Sequence, residues 1–245
     1  MRTTFFPLSF LLAFLVAPLC FPAASFALNL HRNVPTTTRD MEYFYLHKRA
    51  ESVPGMLRSL DKNGRFAQGE LRLVTAAFLA EFFNLYPNEA PNILKLADQL
   101  SYDAQRMFLW AAHLTTNQTF ARALTHLKAA HDKTLLLQLE LSPRELSQWD
   151  ICQSSAVLHM YWGAFFVAAG SRYLDRIIDA VLLHARLKAR GLVQDPRYKS
   201  SMEVAASLYE MTPRHEAIRK RLEERLKTLS GAEAETIGII LKARK

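Results

Sequence analysis

The sequence of 245 residues predicts an all-α protein, and three observations lead to that prediction. Apolar residues recur three and four positions apart through most of the chain, which is the spacing of amphipathic helices. No run alternates apolar and polar residues for long enough to predict a strand, and residues 135–141 are interpreted as a helix end and linker. Capping residues followed by proline predict helix starts, with a capping box at 142–145. These pairs are Ser142-Pro143, Asp195-Pro196 and Thr212-Pro213.

Residues 159–178 predict a helical hairpin around which we expect the chain to be organised. The first half is apolar on two faces, so it predicts a helix that lies between neighbouring helices. The second half is apolar on one side and charged on the other, which predicts a covering helix. Gly170 is the expected left-handed residue between them. Four aromatic residues have the spacing of a buried helix, so we interpret them as core and not as an aromatic binding site: Tyr161, Trp162, Phe165 and Phe166.

A similar hairpin pattern occurs earlier in the chain. Phe82-Phe83 corresponds to Phe165-Phe166, and Pro87 corresponds to Gly170, while a looser third copy breaks near Thr212. We therefore expect antiparallel helical hairpins, stacked as an irregular α-solenoid of the tetratricopeptide type or packed as a compact α-bundle. The unequal spacing of the breaks argues against a strict tetratricopeptide array.

Breaks in the apolar pattern divide the rest of the chain into further helices. Pro54 and Gly55 are expected to separate two short helices near the start of the helical region. Gly231 is expected to close a helix that begins at Pro213. The longer predicted segments are 70–86, 103–115 and 120–131.

The first 27 residues have the features of a secretory signal peptide. Arg2 precedes a run rich in Phe and Leu, and the small residues Ser25 and Ala27 fit cleavage after Ala27. An uncleaved membrane anchor is the alternative. We expect residues 28–38 to form an extended arm and residues 39–245 to form a single helical domain.

The composition excludes some partners and leaves others open. The chain has 31 Lys and Arg against 23 Asp and Glu, a formal net charge of +8, and the charges are spread and mixed in sign. A solvated surface explains this distribution better than a polyanion site, so we do not expect nucleic acid as a partner. Charged residues interrupt each later apolar run, so no stable membrane span is expected after removal of the leader. Cys152, the lone cysteine of the mature chain, is expected to be a buried structural thiol.

The residues that bind metals or carry catalysis do not occur in recognisable spacings. His126 and His131 are five positions apart, which places them off a common helix face. The turn at Asp61 resembles a calcium loop, but Phe66 and Arg72 stand where such a loop needs Gly and Glu. We therefore predict no metal, no cofactor and no catalytic residue.

Asp175 and Asp179 lie one helical turn apart and form a carboxylate pair in the sequence. Surface ion pairs with neighbouring arginines explain this pair without catalysis. The arginines considered are Arg172, Arg176 and Arg186.

Two stretches carry a resemblance to known proteins. The sequences YWGAFFVAAGSRYLDRIIDAV and FLAEFFNLYPNEAPNIL resemble a group of exported bacterial proteins in which a Trp-Gly-Ala-Phe-Phe helix precedes a Tyr…Ile-Ile helix. Trp162, Tyr173, Ile177 and Ile178 match that pattern, whereas Ala169-Gly170-Ser171 stands where the group has a Thr-Gly-Asp-like turn. The resemblance implies a helical, repeat-like fold and a bacterial envelope location, and it implies no activity.

The leading functional hypothesis is a non-catalytic helical interaction module, periplasmic or secreted, that binds another protein or a peptide. The alternative is an enzyme whose site lies between helices. Scattered residues would then line a pocket, and the candidates are Glu81, His113 and His159. The two hypotheses differ in whether polar side chains converge in a deep pocket.

Overall fold

The computed structural model describes residues 36–243, and within that range every regular element is a helix. Thirteen α-helices and five short 3-10 helices are present in this part of the chain, so the all-α prediction is confirmed. The predicted signal peptide lies outside the described residues. The α-helices are α1 (Thr36–Glu42), α2 (Phe44–His47), α3 (Val53–Lys62), α4 (Gly69–Leu85), α5 (Ala90–Ala97), α6 (Tyr102–Leu114), α7 (Gln118–Ala123), α8 (Lys133–Leu141), α9 (Ser155–Ala168), α10 (Ser171–Ala189), α11 (Pro196–Met211), α12 (Glu216–Leu226) and α13 (Gly231–Leu241).

Helix α4 lies at the centre of the fold, between α6 and α9. Its side chains are buried without interruption from Val74 to Phe83, so it has no solvent face through that region. The closest approach is at Gly163 of α9, where a Cβ atom would lie 2.3 Å from the carbonyl oxygen of Val74. The absence of a side chain at Gly163 therefore allows the two backbones to touch.

Helix α9 is buried on all sides from Val157 to Val167, as the two apolar faces predicted. The residue that ends it is not the one expected. Ala169 adopts the left-handed conformation, with φ of 47°, whereas Gly170 is extended and precedes α10. The prediction placed the glycine at the left-handed position because glycine adopts positive φ most easily. Here the Ala169 N–H donates to the Phe165 carbonyl and completes the last turn.

One of the three predicted helix starts is confirmed. The Asp195 side chain accepts a hydrogen bond from the Arg197 N–H, and Pro196 begins α11. The other two predictions are wrong, because both residues end helices. Ser142 follows α8 and its hydroxyl donates to the Gln138 carbonyl, and Thr212 follows α11 and its hydroxyl donates to the Leu208 carbonyl. Ser and Thr hydroxyls bond to nearby carbonyls as readily as they cap a following helix.

Three further predicted boundaries are displaced. Pro54 lies in the first turn of α3, where its missing N–H costs nothing, so the break between the first helices falls earlier, at Lys48. Gly231 begins α13 instead of closing the preceding helix. Helix α1 begins at Thr36, inside the segment 28–38 that was expected to be extended.

The second half of the chain forms a layer around α10, which contacts α9, α11, α12 and α13. Because α4 packs mainly on α9 and α6 rather than on α5, the arrangement fits the compact-bundle alternative better than a stack of sequential hairpins. Within the described part of the chain, no helix combines the length and apolar composition needed to cross a bilayer.

Candidate functional site

A cavity of about 440 Å³ opens where α4, α9 and α10 meet the end of α6 and the segment before α9. This volume falls in the range of small-ligand and peptide side-chain pockets, about 300–1,000 Å³. The lining residues are Ala77, Ala80, Glu81, Asn84, Leu85, Leu114, Thr116, Glu145, Leu146, Ser147, Tyr161, Ala164, Arg172, Tyr173 and Arg176.

Small side chains create the space. Ala77 and Ala80 of α4 and Ala164 of α9 lie on the walls of the cavity, where a larger residue would fill it. Leu114 and Leu146 extend the apolar surface from the neighbouring elements. The cavity therefore has an apolar body, and the polar groups that line it determine what it can recognise.

Glu81 is the buried acidic group of this pocket, with 6% of its side chain exposed. Its Oε2 accepts hydrogen bonds from Arg172 Nη2 at 2.6 Å, from the Tyr173 hydroxyl at 2.8 Å and from Asn84 Nδ2 at 3.4 Å. The Asn84 amide is itself held, because its oxygen accepts from Thr115 Oγ1 and from the backbone N–H and hydroxyl of Thr116. Among the described residues no donor lies within hydrogen-bond distance of Glu81 Oε1.

Two arginines of α10 line the cavity one helical turn apart. Arg172 is fixed by Glu81 and by the Tyr173 hydroxyl. Its guanidinium carbon also lies over the Tyr173 ring, 4.4 Å from the ring centroid. Arg176 donates from Nη2 to the Ser147 carbonyl at 2.8 Å. In residues 36–243 no carboxylate lies within 4 Å of Arg176, so its charge is not paired locally.

The tyrosines of the pocket are held in the protonated form. Burial raises the pKa of Tyr173, and the neighbouring Glu81 carboxylate raises it further. Burial also raises the pKa of Tyr161, whose hydroxyl donates to the carbonyls of Leu146 and Trp149. Both hydroxyls therefore act as hydrogen-bond donors near neutral pH.

Of the three candidate residues named from the sequence, only Glu81 lines this pocket. His113 lies at the end of α6, where Nε2 is 3.1 Å from the Ser142 carbonyl and 3.2 Å from the Pro143 carbonyl. Because carbonyls only accept, Nε2 carries the proton. Partial burial lowers the pKa of His113, which favours the neutral ring.

His159 is buried on α9 and takes no part in the pocket. Its Nδ1 has no hydrogen-bond partner, and the closest carboxylate oxygen is Glu70 Oε2 at 3.8 Å. Burial lowers the pKa of His159, and Glu70 offsets this effect only in part. No local pattern distinguishes Glu81 from the two histidines, because tertiary packing decides which side chains line the cavity.

The other polar groups considered from the sequence have structural roles. Asp61 accepts from the backbone N–H and the hydroxyl of Ser101, the residue that caps α6. His126 pairs with Asp98 on the surface at 2.9 Å. In the part of the chain that the structure describes, no three His, Cys, Asp or Glu side chains are grouped as metal ligands.

Asp175 and Asp179 form ion pairs as expected, but with different partners. Arg221 of α12 binds both carboxylate oxygens of Asp175 at 2.8 Å, and Arg225 binds Asp179 at 2.6 Å. The predicted partners on α10 itself point elsewhere, which leaves Arg172 and Arg176 available to the pocket. These carboxylates therefore tie α10 to α12.

A second cavity of about 310 Å³ shares Tyr161 and Arg176 with the first. Cys152 lines it and is buried, as predicted for a structural thiol. Burial raises the pKa of Cys152 to about 11, so the thiolate needed for nucleophilic chemistry is scarce at neutral pH.

One buried hydrogen-bond network was not predicted from the sequence, and it joins a carboxylate, a histidine and a tyrosine hydroxyl. His215 Nε2 lies 3.0 Å from Glu42 Oε1, and His215 Nδ1 lies 2.9 Å from the Tyr45 hydroxyl. The order resembles a catalytic relay. All three residues are buried, however, so a substrate cannot reach the hydroxyl. No sequence signal links these residues, because 170 positions separate Tyr45 from His215.

Comparison with known proteins adds no functional assignment. No family model, no curated protein and no solved structure matches this chain.

Proposed function

We propose that this chain is a non-catalytic binding protein that holds a segment of a partner protein or peptide in the pocket between α4, α9 and α10. The observation that carries the proposal is the pocket itself, in which an apolar body is lined by two held arginines and a buried carboxylate. Such a combination gives affinity through apolar contact and orientation through a few placed polar groups.

The groups in the pocket suit binding better than catalysis. The Glu81 Oε2 atom already accepts three hydrogen bonds, from Arg172, Tyr173 and Asn84, so these contacts occupy it. The raised pKa of Tyr173 makes its phenolate inaccessible as a base. Since neither histidine candidate lines the pocket, the alternative of an enzyme with its site between helices has less support.

We further propose that the protein acts in the bacterial envelope or outside the cell. Support comes from the sequence of residues 1–27 and from the resemblance of the Trp162 hairpin to exported proteins. Cleavage after Ala27 predicts a mature protein that begins at Leu28. N-terminal sequencing of the protein recovered from the envelope or medium tests this, and retention of Met1 would contradict it.

Affinity capture tests the binding function. The purified exported protein is immobilised and exposed to envelope extract, alongside Arg176→Glu and Arg58→Glu. Both arginines are exposed to solvent, but only Arg176 lines the pocket. We expect the wild type and Arg58→Glu to retain the same partner and Arg176→Glu to lose it, with unchanged circular dichroism in all three. Equal retention by Arg176→Glu would show that the partner binds elsewhere.

A further inference from the structure

We propose that the group recognised in this pocket is the C-terminal carboxylate of a peptide whose last side chain is aliphatic. The inference rests on the proposed function, since it specifies which part of a peptide the pocket binds. It is carried by three features that converge in one cavity: a pair of held arginines, alanine walls and an unused carboxylate oxygen.

The arginines supply the anion site. Arg172 uses Nη2 for Glu81 and Tyr173, and Arg176 uses Nη2 for Ser147, so the Nη1 and Nε groups of both remain available as donors. Because existing contacts already fix each guanidinium, a carboxylate would bind with little loss of side-chain entropy. Charge-assisted bonds of this kind are the strongest hydrogen bonds in proteins.

The local charges favour an anion at this position. Glu81 compensates Arg172, whereas Arg176 has no carboxylate within 4 Å among the described residues. Glu145 also lines the cavity, but it is exposed, and its carboxylate accepts from the Ser147 hydroxyl instead of pairing with an arginine. An anion that bridges Arg172 and Arg176 would therefore supply the counter-charge that Arg176 lacks.

The walls and the carboxylate select the rest of the ligand. Ala77, Ala80 and Ala164 leave an apolar space beside the arginines that suits an aliphatic side chain. The described hydrogen bonds to Glu81 all use Oε2, so Oε1 can accept an N–H group from the ligand. A C-terminal residue carries both an N–H and a carboxylate, so it can donate to Glu81 while its carboxylate binds the arginines that line the same cavity. A simple fatty acid lacks that N–H.

Fluorescence polarisation with defined peptides tests the proposal. The probes are N-terminally labelled Gly-Gly-Ser-Gly-Ala-X peptides with Leu, Val or Phe at X, each as the free acid and as the amide. Unlabelled octanoate serves as a competitor that has the carboxylate and the chain but no N–H. The protein variants are Arg176→Gln and the control Arg58→Gln.

We expect at least one aliphatic free acid to bind and its amide to bind at least about tenfold more weakly, as loss of charge-assisted bonds predicts. Arg176→Gln should weaken the free acid by a similar factor, Arg58→Gln should not, and octanoate should compete more weakly than the peptide. Equal binding of acid and amide, no binding of any free acid, or tighter binding of octanoate would each overturn the proposal.

The two experiments together distinguish failure of this inference from failure of the proposed binding function. If affinity capture depends on Arg176 while acid and amide peptides bind equally, the pocket binds its partner but does not recognise a C-terminal carboxylate. If neither capture nor peptide binding depends on Arg176, the proposed function and the inference both fail.

Discussion

Trp162 is fully buried in α9, where its indole N–H donates to the Ser207 hydroxyl at 2.9 Å and its ring stacks near Phe166. Removal of the indole leaves a cavity and an unpaired hydroxyl, so Trp162→Ala should lower the free energy of unfolding by about 3–5 kcal/mol. Urea denaturation measures the change. Tyr209→Ala on α11, where the residue is 45% exposed, is the control and should cost far less. Similar losses for both variants would contradict the assignment of Trp162 to the core.

His159 makes the stability of the fold depend on pH. Burial lowers the pKa of His159 in the folded state, whereas an unfolded histidine titrates near about 6.5. Below that pH the unfolded chain binds a proton that the folded chain does not, so the stabilising effect of neutral His159 is lost as pH falls. We expect the melting temperature to decrease between about pH 7 and 5, and to decrease less in His159→Phe.

The pH slope of His159→Phe should not vanish, since burial also lowers the pKa of His113 and of His184. His131→Phe serves as the matched control because that imidazole is exposed on the surface. Thermal denaturation at a series of pH values measures all three proteins. An identical slope in wild type and His159→Phe would show that His159 does not contribute.

At the scale of elements, the contact between α4 and α9 depends on one glycine. A Cβ at Gly163 would lie 2.3 Å from the Val74 carbonyl oxygen, and helix backbones cannot give way locally as a flexible side chain can. Gly163→Ala should therefore destabilise the fold by about 1–3 kcal/mol or more, by forcing α4 and α9 apart.

Gly238 offers the matched control within α13, because a Cβ there meets nothing within 4 Å. Gly238→Ala should be neutral or stabilising by up to about 1 kcal/mol, since alanine has the higher helix propensity. Chemical denaturation of both variants gives the comparison. A tolerated Gly163→Ala would mean that the two helices are not in close contact.

The pattern of elements was largely predictable and their ends were not. The apolar stripe of residues 70–86 predicted α4, and the two-faced pattern of α9 predicted its burial. Ser142 and Thr212 were predicted to start helices and instead end them. A hydroxyl can bond to a carbonyl behind it or to an N–H ahead of it, and tertiary packing decides between the two.

At the scale of the whole molecule, His215 joins the first two helices of the described chain to the segment between α11 and α12. It bridges Glu42 of α1 and Tyr45 of α2 from the segment that precedes α12. His215→Ala removes one hydrogen-bond partner from each of the buried Glu42 and Tyr45 side chains and should cost about 1–3 kcal/mol. Tyr45→Phe removes one hydrogen bond and should cost about 1 kcal/mol.

A double-mutant cycle tests the link between His215 and Tyr45. Because the two side chains contact each other, we expect the double variant to differ from the sum of the single variants by about 0.5–3 kcal/mol. Denaturant unfolding of the four proteins gives the coupling energy. Additive losses would show that the hydrogen bond between them contributes nothing to the fold.

The sequence alone determined the all-α class and the burial of α9, because apolar periodicity is a local property that survives in any helical packing. It also predicted the buried state of Cys152, because free cysteines are among the most buried residues. Only the tertiary structure decided that Glu81 and Arg172, 91 positions apart, meet in one pocket while His113 and His159 stay outside it. It likewise decided the close approach at Gly163. Contacts of this kind depend on which helices become neighbours, and no local pattern carries that information.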